Sequence, residues 1–247
     1  MIGKSSLLSD RVLLITGAAK GLGRALTLRC AEAGANLILC DKEVRALELL
    51  QEEIELFSRN RTFLIPINFE GATLKDYETL VNAITSKFDR INGLIFNAAT
   101  LGELAPLEHY DPIVWAKVFQ VNLHSTFLML KYCSPIIENS KNSNVIFTLA
   151  PEICLIKPFW GAYAVSKKAL LGLMELTYSE MASYDRVKVN GVVPSPMRTD
   201  LHRQAYPAGD FSLLDTPEQN AETYIKILTE HSCYKNGEVI ELGKKNL

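Results

Sequence analysis

The sequence predicts an α/β fold, in which helices cover both faces of a doubly wound parallel sheet of about seven strands. Two observations carry this prediction. Short apolar runs alternate with longer amphipathic stretches along the whole chain, and this alternation is typical of parallel sheets. No internal repeat, low-complexity tract or linker divides the 247 residues. We therefore expect one domain, residues 1–247.

The first strand and helix are joined by a glycine-rich turn. Residues 12–16 form a continuous apolar run, which indicates a buried strand, and the helix is expected to run to about Gly34. Glycines let the backbone approach a ligand, and a helix N-terminus offers N–H groups and a partial positive charge. The turn therefore predicts a pyrophosphate site. Its candidate residues are Gly17, Lys20, Gly21, Leu22 and Gly23.

Asp41 ends the second predicted strand, residues 36–41, about 20 residues after the glycine turn. In a dinucleotide-binding fold an acid at this position accepts hydrogen bonds from the adenosine ribose, and it repels the 2′-phosphate of NADP. Asp41 therefore favours NAD. Lys42 keeps NADP open as the alternative, because a base beside this position is often found in NADP sites. In the other interpretation, Asp41 binds no ligand and is only an acidic residue at the start of the next helix, 43–59.

Two further strands end in polar residues. Residues 62–67 precede Asn68 and Phe69, which we expect to border the adenine, and residues 91–96 precede Asn97 and Ala98. A helix over 73–88 separates these strands. Ligands of doubly wound sheets bind at the carboxyl ends of the strands, so these residues are expected to share one cleft with the glycine turn.

The second half of the chain continues the alternation. A long helix is predicted over 111–139, with Asn122 inside it, and helix interiors disfavour asparagine. Asn122 is therefore expected to have a special role, with a partly exposed side chain as the alternative. Strands are predicted over 144–149, 187–193 and 238–242, a proline-bearing break over 194–199, and a capped helix from Thr216 to about Glu230. Residues 197–215 are expected to form a substrate lid.

Tyr163 and Lys167 stand four residues apart at the start of a stretch with helical periodicity. Positions i and i+4 of a helix lie on one face. A nearby positive charge favours the phenolate and lowers the tyrosine pKa from about 10, so the phenol can exchange a proton near neutral pH. The pair is a candidate acid/base centre. A surface tyrosine beside a surface lysine is the alternative interpretation.

Composition excludes several classes of protein. Hydrophobic residues make up 48% and the net charge is −2, which favours a globular core and gives no attraction to nucleic acid or anionic membrane. Apolar runs are too short to span a membrane, and the N-terminus lacks a signal-peptide core. Five cysteines without a CxxC motif fit reduced thiols. We expect a cytoplasmic protein without a metal site.

Together these residues resemble the short-chain dehydrogenase/reductase family, classical type, over nearly all of the chain. The resemblance rests on T-G-A-A-K-G-L-G at 16–23, N-A-A at 97–99, Asn122, Y-x-x-x-K at 163–167 and the turn at 194–199. It implies a Rossmann fold and an NAD(P)-dependent oxidoreductase that acts on an alcohol and a ketone or aldehyde. It also implies a homodimer or homotetramer packed through helices near 111–139 and 161–184.

The resemblance assigns a role to each matching residue. Tyr163 would be the acid/base, Lys167 would bind the nicotinamide ribose and depress the Tyr163 pKa, and Asn122 would hold a water of the proton relay. Met197 and Thr199 would contact the nicotinamide carboxamide, beside Pro194 in the same turn. The hydride belongs to the cofactor.

The sequence departs from the family pattern around the substrate. The family has a serine thirteen residues before the tyrosine, where this chain has Ala150. Losing such a donor costs around 3 kcal/mol of transition-state stabilisation. Thr148 lies about 6–7 Å away along the strand, and Glu152 could enter the pocket but would repel an oxyanion unless protonated. Ala99 and Ser195 replace glycines of the pattern, and Phe96 replaces an asparagine.

Three functions remain open at this point. The first is the oxidoreductase, supported by Tyr163, Lys167 and Asn122. The second is a dinucleotide-binding protein with little or no turnover, supported by Ala150. An epimerase or dehydratase is a minor third, because such nucleotide-sugar enzymes usually have a larger C-terminal region. An apolar, partly aromatic substrate pocket is predicted from Trp160, Phe159, Leu155 and the 200–215 segment. The alternative is that these residues form a subunit interface.

Overall fold

The computed structural model describes residues 7–154, 156–181, 186–229 and 232–243. In this part of the chain seven strands form one sheet: β1 (Val12–Thr16), β2 (Asn36–Asp41), β3 (Thr62–Pro66), β4 (Gly93–Phe96), β5 (Ser143–Thr148), β6 (Val187–Val193) and β7 (Val239–Glu241). Their order is β3-β2-β1-β4-β5-β6-β7, and every neighbouring pair is parallel. The predicted doubly wound parallel sheet is confirmed.

Eight α-helices lie in the described ranges: α1 (Gly21–Glu32), α2 (Val44–Glu55), α3 (Leu74–Thr85), α4 (Pro112–Phe119), α5 (Ser125–Glu138), α6 (Gly161–Met181), α7 (Asp200–Ala205) and α8 (Pro217–Leu228). The predicted cap of α8 is present, because Thr216 and Gln219 form a capping box. The predicted end near Glu230 falls outside the described residues, as do 182–184 of the predicted second interface helix.

The helices bury both faces of the sheet. Successive residues of a strand point to opposite faces, so Leu14 packs in a core with Tyr77 of α3 and Met129 of α5. Leu13 packs in a second core with Tyr224 of α8. β1 and β4 lie side by side in the sheet. From β1 the chain adds strands toward one edge of the sheet, and from β4 it adds them toward the other edge. A crevice forms at such a reversal, outside the carboxyl ends of the strands.

Two predicted segments differ in detail from the structure. The helix predicted over 111–139 is divided by a π-helical turn, Gln120–His124, between α4 and α5. Such turns are frequent at functional sites. The segment 197–215, expected to form a substrate lid, contains α7 and a 3₁₀ turn, Phe211–Leu213. Among the described residues, no helix is long and apolar enough to cross a membrane.

Candidate active site

Two adjoining cavities open at the carboxyl ends of the strands. The larger, about 350 Å³, extends from the turn after β1 to residues that follow β5 and β6. The smaller, about 140 Å³, lies beside the end of β3 and shares Gly17 and Asp41 with the larger. Of the predicted site residues, all but Gly23 and Asn122 line one of them: Gly17, Lys20, Gly21, Leu22, Asp41, Asn97, Ala98, Tyr163, Lys167, Pro194, Met197 and Thr199 in the larger, and Asn68 and Phe69 in the smaller.

The glycine turn has a shape that only glycine satisfies easily. Gly17 and Gly21 have φ values of +64° and +51°, in the left-handed region that side chains disfavour. Gly23 does not line the cavity. A Cβ atom there would lie 1.9 Å from the backbone oxygen of Gly17, so Gly23 allows the first turn of α1 to pack against the glycine turn.

Asn97 holds the glycine turn in place. Its Nδ2 donates to the backbone oxygens of Thr16 and Gly17, each at 3.2 Å. The backbone N–H groups of Asn97 and Ala98 donate to the hydroxyl of Thr16 at 3.0 and 3.1 Å. Asn97 therefore connects the ends of β4 and β1, and its amide faces the turn.

Asp41 is fixed between two loops. One carboxylate oxygen accepts a hydrogen bond from the N–H of Ala19 at 2.9 Å, and the other accepts from the N–H of Glu43 at 3.1 Å. The carboxylate thus connects the glycine turn to the start of α2. Sequence reasoning placed Asp41 at this edge of the sheet but not these two hydrogen bonds.

Two lysines near Asp41 are each paired with a glutamate. The Nζ of Lys42 lies 2.8 Å from Glu70, and that of Lys20 lies 3.4 Å from Glu43. The hydrogen bond from Lys42 lowers the pKa of Glu70. Exposed pairs of this kind contribute little stability, so the lysines can exchange their partners for a ligand. Sequence reasoning missed both glutamates, although each lies near the end of a strand.

Tyr163 and Lys167 lie in the first two turns of α6, 6% and 2% exposed. The Nζ of Lys167 is 5.9 Å from the Tyr163 ring centroid and donates to the backbone oxygen of Thr148 at 2.9 Å. Burial lowers the pKa of Lys167 to about 8. Burial also raises the pKa of Tyr163, and Glu152 and Tyr206 raise it further. The expected lowering of the Tyr163 pKa is therefore not seen, and burial is the largest cause of the upward shift.

Asn122 lies in the π-helical turn and is fully buried. Its Oδ1 accepts from the N–H of Thr100 at 2.8 Å, and its Nδ2 donates to the oxygen of Thr100 and to the hydroxyl of Ser166, each at 3.0 Å. The side chain thus joins the loop after β4 to α6. The alternative of a partly exposed asparagine is wrong.

An aromatic wall stands beside Tyr163. The Trp160 ring centroid lies 5.8 Å from that of Tyr163 and 5.7 Å from that of Tyr206. The His202 ring of α7 lies 4.8 Å from the Tyr206 ring, tilted by 32°, and His202 lines the larger cavity. Phe159 is 58% exposed, and neither Phe159 nor Trp160 lines that cavity. Leu155 lies outside the described residues.

Comparison with known proteins agrees with this geometry. The family model for short chain dehydrogenases matches residues 11–209. The chain belongs to the short-chain dehydrogenase family. It is 30% identical to the uncharacterized oxidoreductase YciK of Escherichia coli, over 95% of this chain and 92% of that protein.

Solved short-chain dehydrogenases share the fold over nearly the whole chain. One from Pseudomonas syringae superposes with a TM-score of 0.93 at 30% identity and covers 97% of both chains. One from E. coli, solved with NADPH, has a TM-score of 0.90 at 30% identity and covers 96% of this chain and 98% of its own. One from Shigella flexneri, solved with NADP, has a TM-score of 0.92 at 28% identity and covers 96% of this chain and 98% of its own.

The sequence predicts that Ala150 stands at the position of the family serine. It is buried in an apolar cluster with Tyr163 and Trp160 and offers no side-chain donor. The Thr148 hydroxyl accepts a hydrogen bond from Tyr224 of α8 at 3.0 Å. Its side chain is therefore directed at α8.

Ser195, which the sequence predicts to stand in place of a family glycine, holds the segment after β6 in position. Its hydroxyl donates to the carboxylate of Asp215 at 2.6 Å, and its N–H donates to Oδ1 of Asn220 at 2.8 Å. The backbones of Met197 and Asp215 also pair in an isolated parallel β-bridge. The serine thus holds the segment after β6 against Asn220 of α8.

Proposed function

We propose that this protein is an NAD(P)-dependent oxidoreductase that interconverts an alcohol and a ketone or aldehyde. The observation that carries the proposal is the buried pair Tyr163 and Lys167, which lines the same cavity as the glycine turn. A tyrosine that can move a proton and a cleft that can hold a dinucleotide are the two parts that such a reaction needs.

The cleft fits a dinucleotide. Gly17 and Gly21 place bare backbone in left-handed conformations at the cavity wall, so no side chain separates the turn from a bound pyrophosphate. Asp41 would hold the adenosine ribose and Lys167 the nicotinamide ribose. Asn68 and Phe69 would border the adenine, and Pro194, Met197 and Thr199 the nicotinamide. When bound, the cofactor supplies or accepts the hydride.

The protein's own residues move the proton. The pKa of Tyr163 is raised by burial, so the phenol holds its proton at neutral pH and can donate it to a carbonyl oxygen during reduction. The resulting phenolate would be stabilised by the Lys167 ammonium, whose pKa of about 8 keeps it mostly charged at pH 7. In the oxidative direction the same proton returns from the alcohol to Tyr163.

The preference between NAD and NADP depends on opposing charges. Asp41 supports NAD, as the sequence predicts, because its carboxylate repels a 2′-phosphate. The NADP and NADPH complexes of two relatives support NADP. Lys20 and Lys42 could meet the phosphate after leaving Glu43 and Glu70. We propose that Asp41 and Lys42 set the preference between the two nucleotides.

The substrate is proposed to be an apolar carbonyl compound. Ala150, Leu101 and Trp160 form one apolar cluster with Tyr163. Leu201 of α7 packs against the same cluster. Such a wall favours an apolar group beside the reacting carbonyl.

A second candidate is a dinucleotide-binding protein with little turnover. It is favoured by Ala150, which leaves the substrate oxygen without the family's serine donor. An Ala150→Ser variant separates the two candidates. If carbonyl reduction rises tenfold or more from a measurable wild-type rate, the protein is a weakened enzyme.

Self-association is proposed through α4, α5 and α6. Ile113, Phe127 and Leu176 are exposed apolar residues on these three helices. Sedimentation equilibrium of the wild type and of Leu176→Lys tests this arrangement. A monomeric wild type would overturn it.

The function is tested by fluorescence titration with NADH and NADPH, followed by reduction of 1-phenyl-1,2-propanedione. Tyr163→Phe should bind nucleotide as the wild type does and lose at least 100-fold in kcat, in line with the ~10²–10⁴-fold contribution of general acid–base catalysis. Tyr178→Phe, on the same helix and more exposed, should keep the wild-type rate. Equal turnover by Tyr163→Phe would refute the mechanism, and absence of nucleotide binding would refute both candidates.

A further inference from the structure

Trp160 directly precedes α6, and its side chain is 9% exposed, whereas that of the preceding Phe159 is 58% exposed. The residues on both sides of Trp160 have left-handed backbone, with φ values of +72° at Phe159 and +39° at Gly161. A bulky residue rarely adopts this conformation, and such strained residues cluster at functional sites. The strained turn directs the indole of Trp160 into the protein and leaves Phe159 outside.

The indole of Trp160 contacts two tyrosine rings. Its ring centroid lies 5.8 Å from that of Tyr163 and 5.7 Å from that of Tyr206, and the ring planes are inclined by 51° and 52°. Aromatic pairs at this separation prefer such tilted arrangements, so each contact favours a specific ring orientation. Tyr163 lines the larger cavity and Trp160 does not. Trp160 therefore supports the Tyr163 ring without occupying the space that a substrate would fill.

The contact with Tyr206 connects Trp160 to α7, which forms part of the cavity wall. Leu201 and His202 of α7 line the larger cavity, and Leu201 packs against the apolar cluster that contains Trp160. Tyr206 directly follows α7. Its N–H donates to the backbone oxygen of His202 at 2.9 Å, and the two rings lie 4.8 Å apart. Docking of Tyr206 on Trp160 thus fixes the position of the two cavity-lining residues.

We propose that Trp160 is a positioning residue that holds both the acid/base Tyr163 and the cavity wall formed by α7. This inference rests on the proposed function. Tyr163 must lie within hydrogen-bond reach of the substrate oxygen to transfer its proton, and the wall must hold the substrate at that place. Because one buried indole contacts both parts, the orientation of the proton donor and the placement of the substrate depend on the same residue.

In the alternative role, Trp160 only fills the apolar cluster and stabilises the fold. The two roles predict different kinetics. A residue that only stabilises the fold changes the thermal midpoint and leaves kcat and KM of the folded protein unchanged. A positioning residue changes them according to its contacts. Loss of the contact with Tyr206 should raise KM, and loss of the contact with Tyr163 should lower kcat.

The test measures kcat and KM for reduction of 1-phenyl-1,2-propanedione in variants of Trp160 and Tyr206. Tyr206→Ala should raise KM about fivefold and keep kcat within about twofold of the wild type, because Trp160 still supports Tyr163. Trp160→Ala should show the same rise in KM and lose about 100-fold in kcat, as misplacement of a reacting group does. Trp160→Phe keeps an aromatic ring and should retain kcat within about fivefold.

The double variant Trp160→Ala/Tyr206→Ala tests whether the two residues act through one contact. Its KM should equal that of Trp160→Ala alone, because both substitutions remove the same contact. Trp115→Ala is the matched control. Trp115 also packs against two aromatic rings, those of Tyr110 and Phe119, and does not line the larger cavity, so kcat and KM should stay at the wild-type values.

Hydrogen exchange tests the contact with α7 without any turnover. In the protein without nucleotide, exchange of the α7 amides should become about tenfold faster in Trp160→Ala and in Tyr206→Ala, because their local opening becomes easier. Exchange of the α3 amides should stay at the wild-type rate in both variants, and that of α7 should stay unchanged in Trp115→Ala. The thermal midpoint of each variant shows that the protein is folded.

Three results would overturn the proposal: wild-type kcat in Trp160→Ala, wild-type exchange of α7 in that variant, and effects on KM that add up in the double variant. A folded Trp160→Phe variant as slow as Trp160→Ala would also overturn it, because the ring would then not be what supports Tyr163. If the wild type binds nucleotide but reduces no carbonyl compound, the proposed function fails. Faster α7 exchange would then still support the contact between Trp160 and α7, and unchanged exchange would refute it.

Discussion

The Nζ of Lys167 donates a hydrogen bond to the backbone oxygen of Thr148 at 2.9 Å. This contact holds an ammonium group that is almost fully buried at the end of β5. Because burial disfavours the charged form, the pKa of Lys167 falls to about 8 from 10.5. The protein therefore carries a charge at its centre that opposes folding and that the proposed chemistry requires.

We predict that Lys167→Met raises the stability of the protein and removes its turnover. At pH 7 the free energy of unfolding should rise by about 1–3 kcal/mol, because an apolar side chain of similar size replaces a buried charge. Below pH 8 the wild-type penalty is fully present, and it disappears as pH rises toward 10.5, so the wild type gains stability over this window. Urea unfolding at pH 7 and 9.5 measures both effects.

The control for this prediction is Lys75→Met on α3, an exposed lysine whose replacement should change stability by less than about 0.5 kcal/mol. A Lys167→Met variant that is less stable than the wild type at pH 7 would contradict the argument. It would mean that the hydrogen bond to Thr148 outweighs the desolvation of the ammonium.

Two buried tyrosines provide a matched pair for a second prediction. Tyr224 donates to the Thr148 hydroxyl at 3.0 Å, whereas the hydroxyl of Tyr77 has no hydrogen-bond partner among the described residues. Tyr224→Phe should therefore lower the free energy of unfolding by about 1–2 kcal/mol, and Tyr77→Phe should leave it unchanged or raise it. Equal losses in urea unfolding of both variants would contradict this assignment.

Much of the fold is predictable because each signal in it is local. The apolar run of β1, the glycines of the following turn and the cap at Thr216 specify their own conformations. Asparagine is unfavourable inside a helix, and at Asn122 three hydrogen bonds to Thr100 and Ser166 compensate for it. The π-helical turn around it could not be predicted, because it depends on those distant partners.

The candidate site is less predictable where long-range contacts decide. Thr148 has the residue type of a donor for the substrate, yet its hydroxyl is engaged by Tyr224, which is 76 positions away. Ser195 looks like a lost glycine until Asp215 and Asn220 are placed beside it. The upward pKa shift of Tyr163 follows from burial, which sequence spacing does not describe.

A third prediction concerns the nucleotide preference. Asp41→Ala should raise the NADPH affinity relative to the NADH affinity at least tenfold, because in the proposed site it removes a negative charge near the 2′ position. Lys42→Ala should change the ratio in the opposite direction. Fluorescence titrations at two ionic strengths measure both, and the effects should shrink at high salt. Ratios that do not change in either variant would show that neither residue contacts this end of the nucleotide.

The last prediction follows from the packing of α1 on the glycine turn. A Cβ at Gly23 would lie 1.9 Å from the backbone oxygen of Gly17, and backbone cannot move aside as a flexible side chain can. Gly23→Ala should therefore lower the free energy of unfolding by about 1–3 kcal/mol, as overpacking does, and weaken nucleotide binding at least tenfold. Gly71→Ala is the control, because a Cβ there meets nothing within 4 Å. It should stabilise the protein by up to about 1 kcal/mol through the unfolded state. If urea unfolding and NADH titration find Gly23→Ala unchanged, the glycine turn is not the rigid cradle that the proposed cofactor site requires.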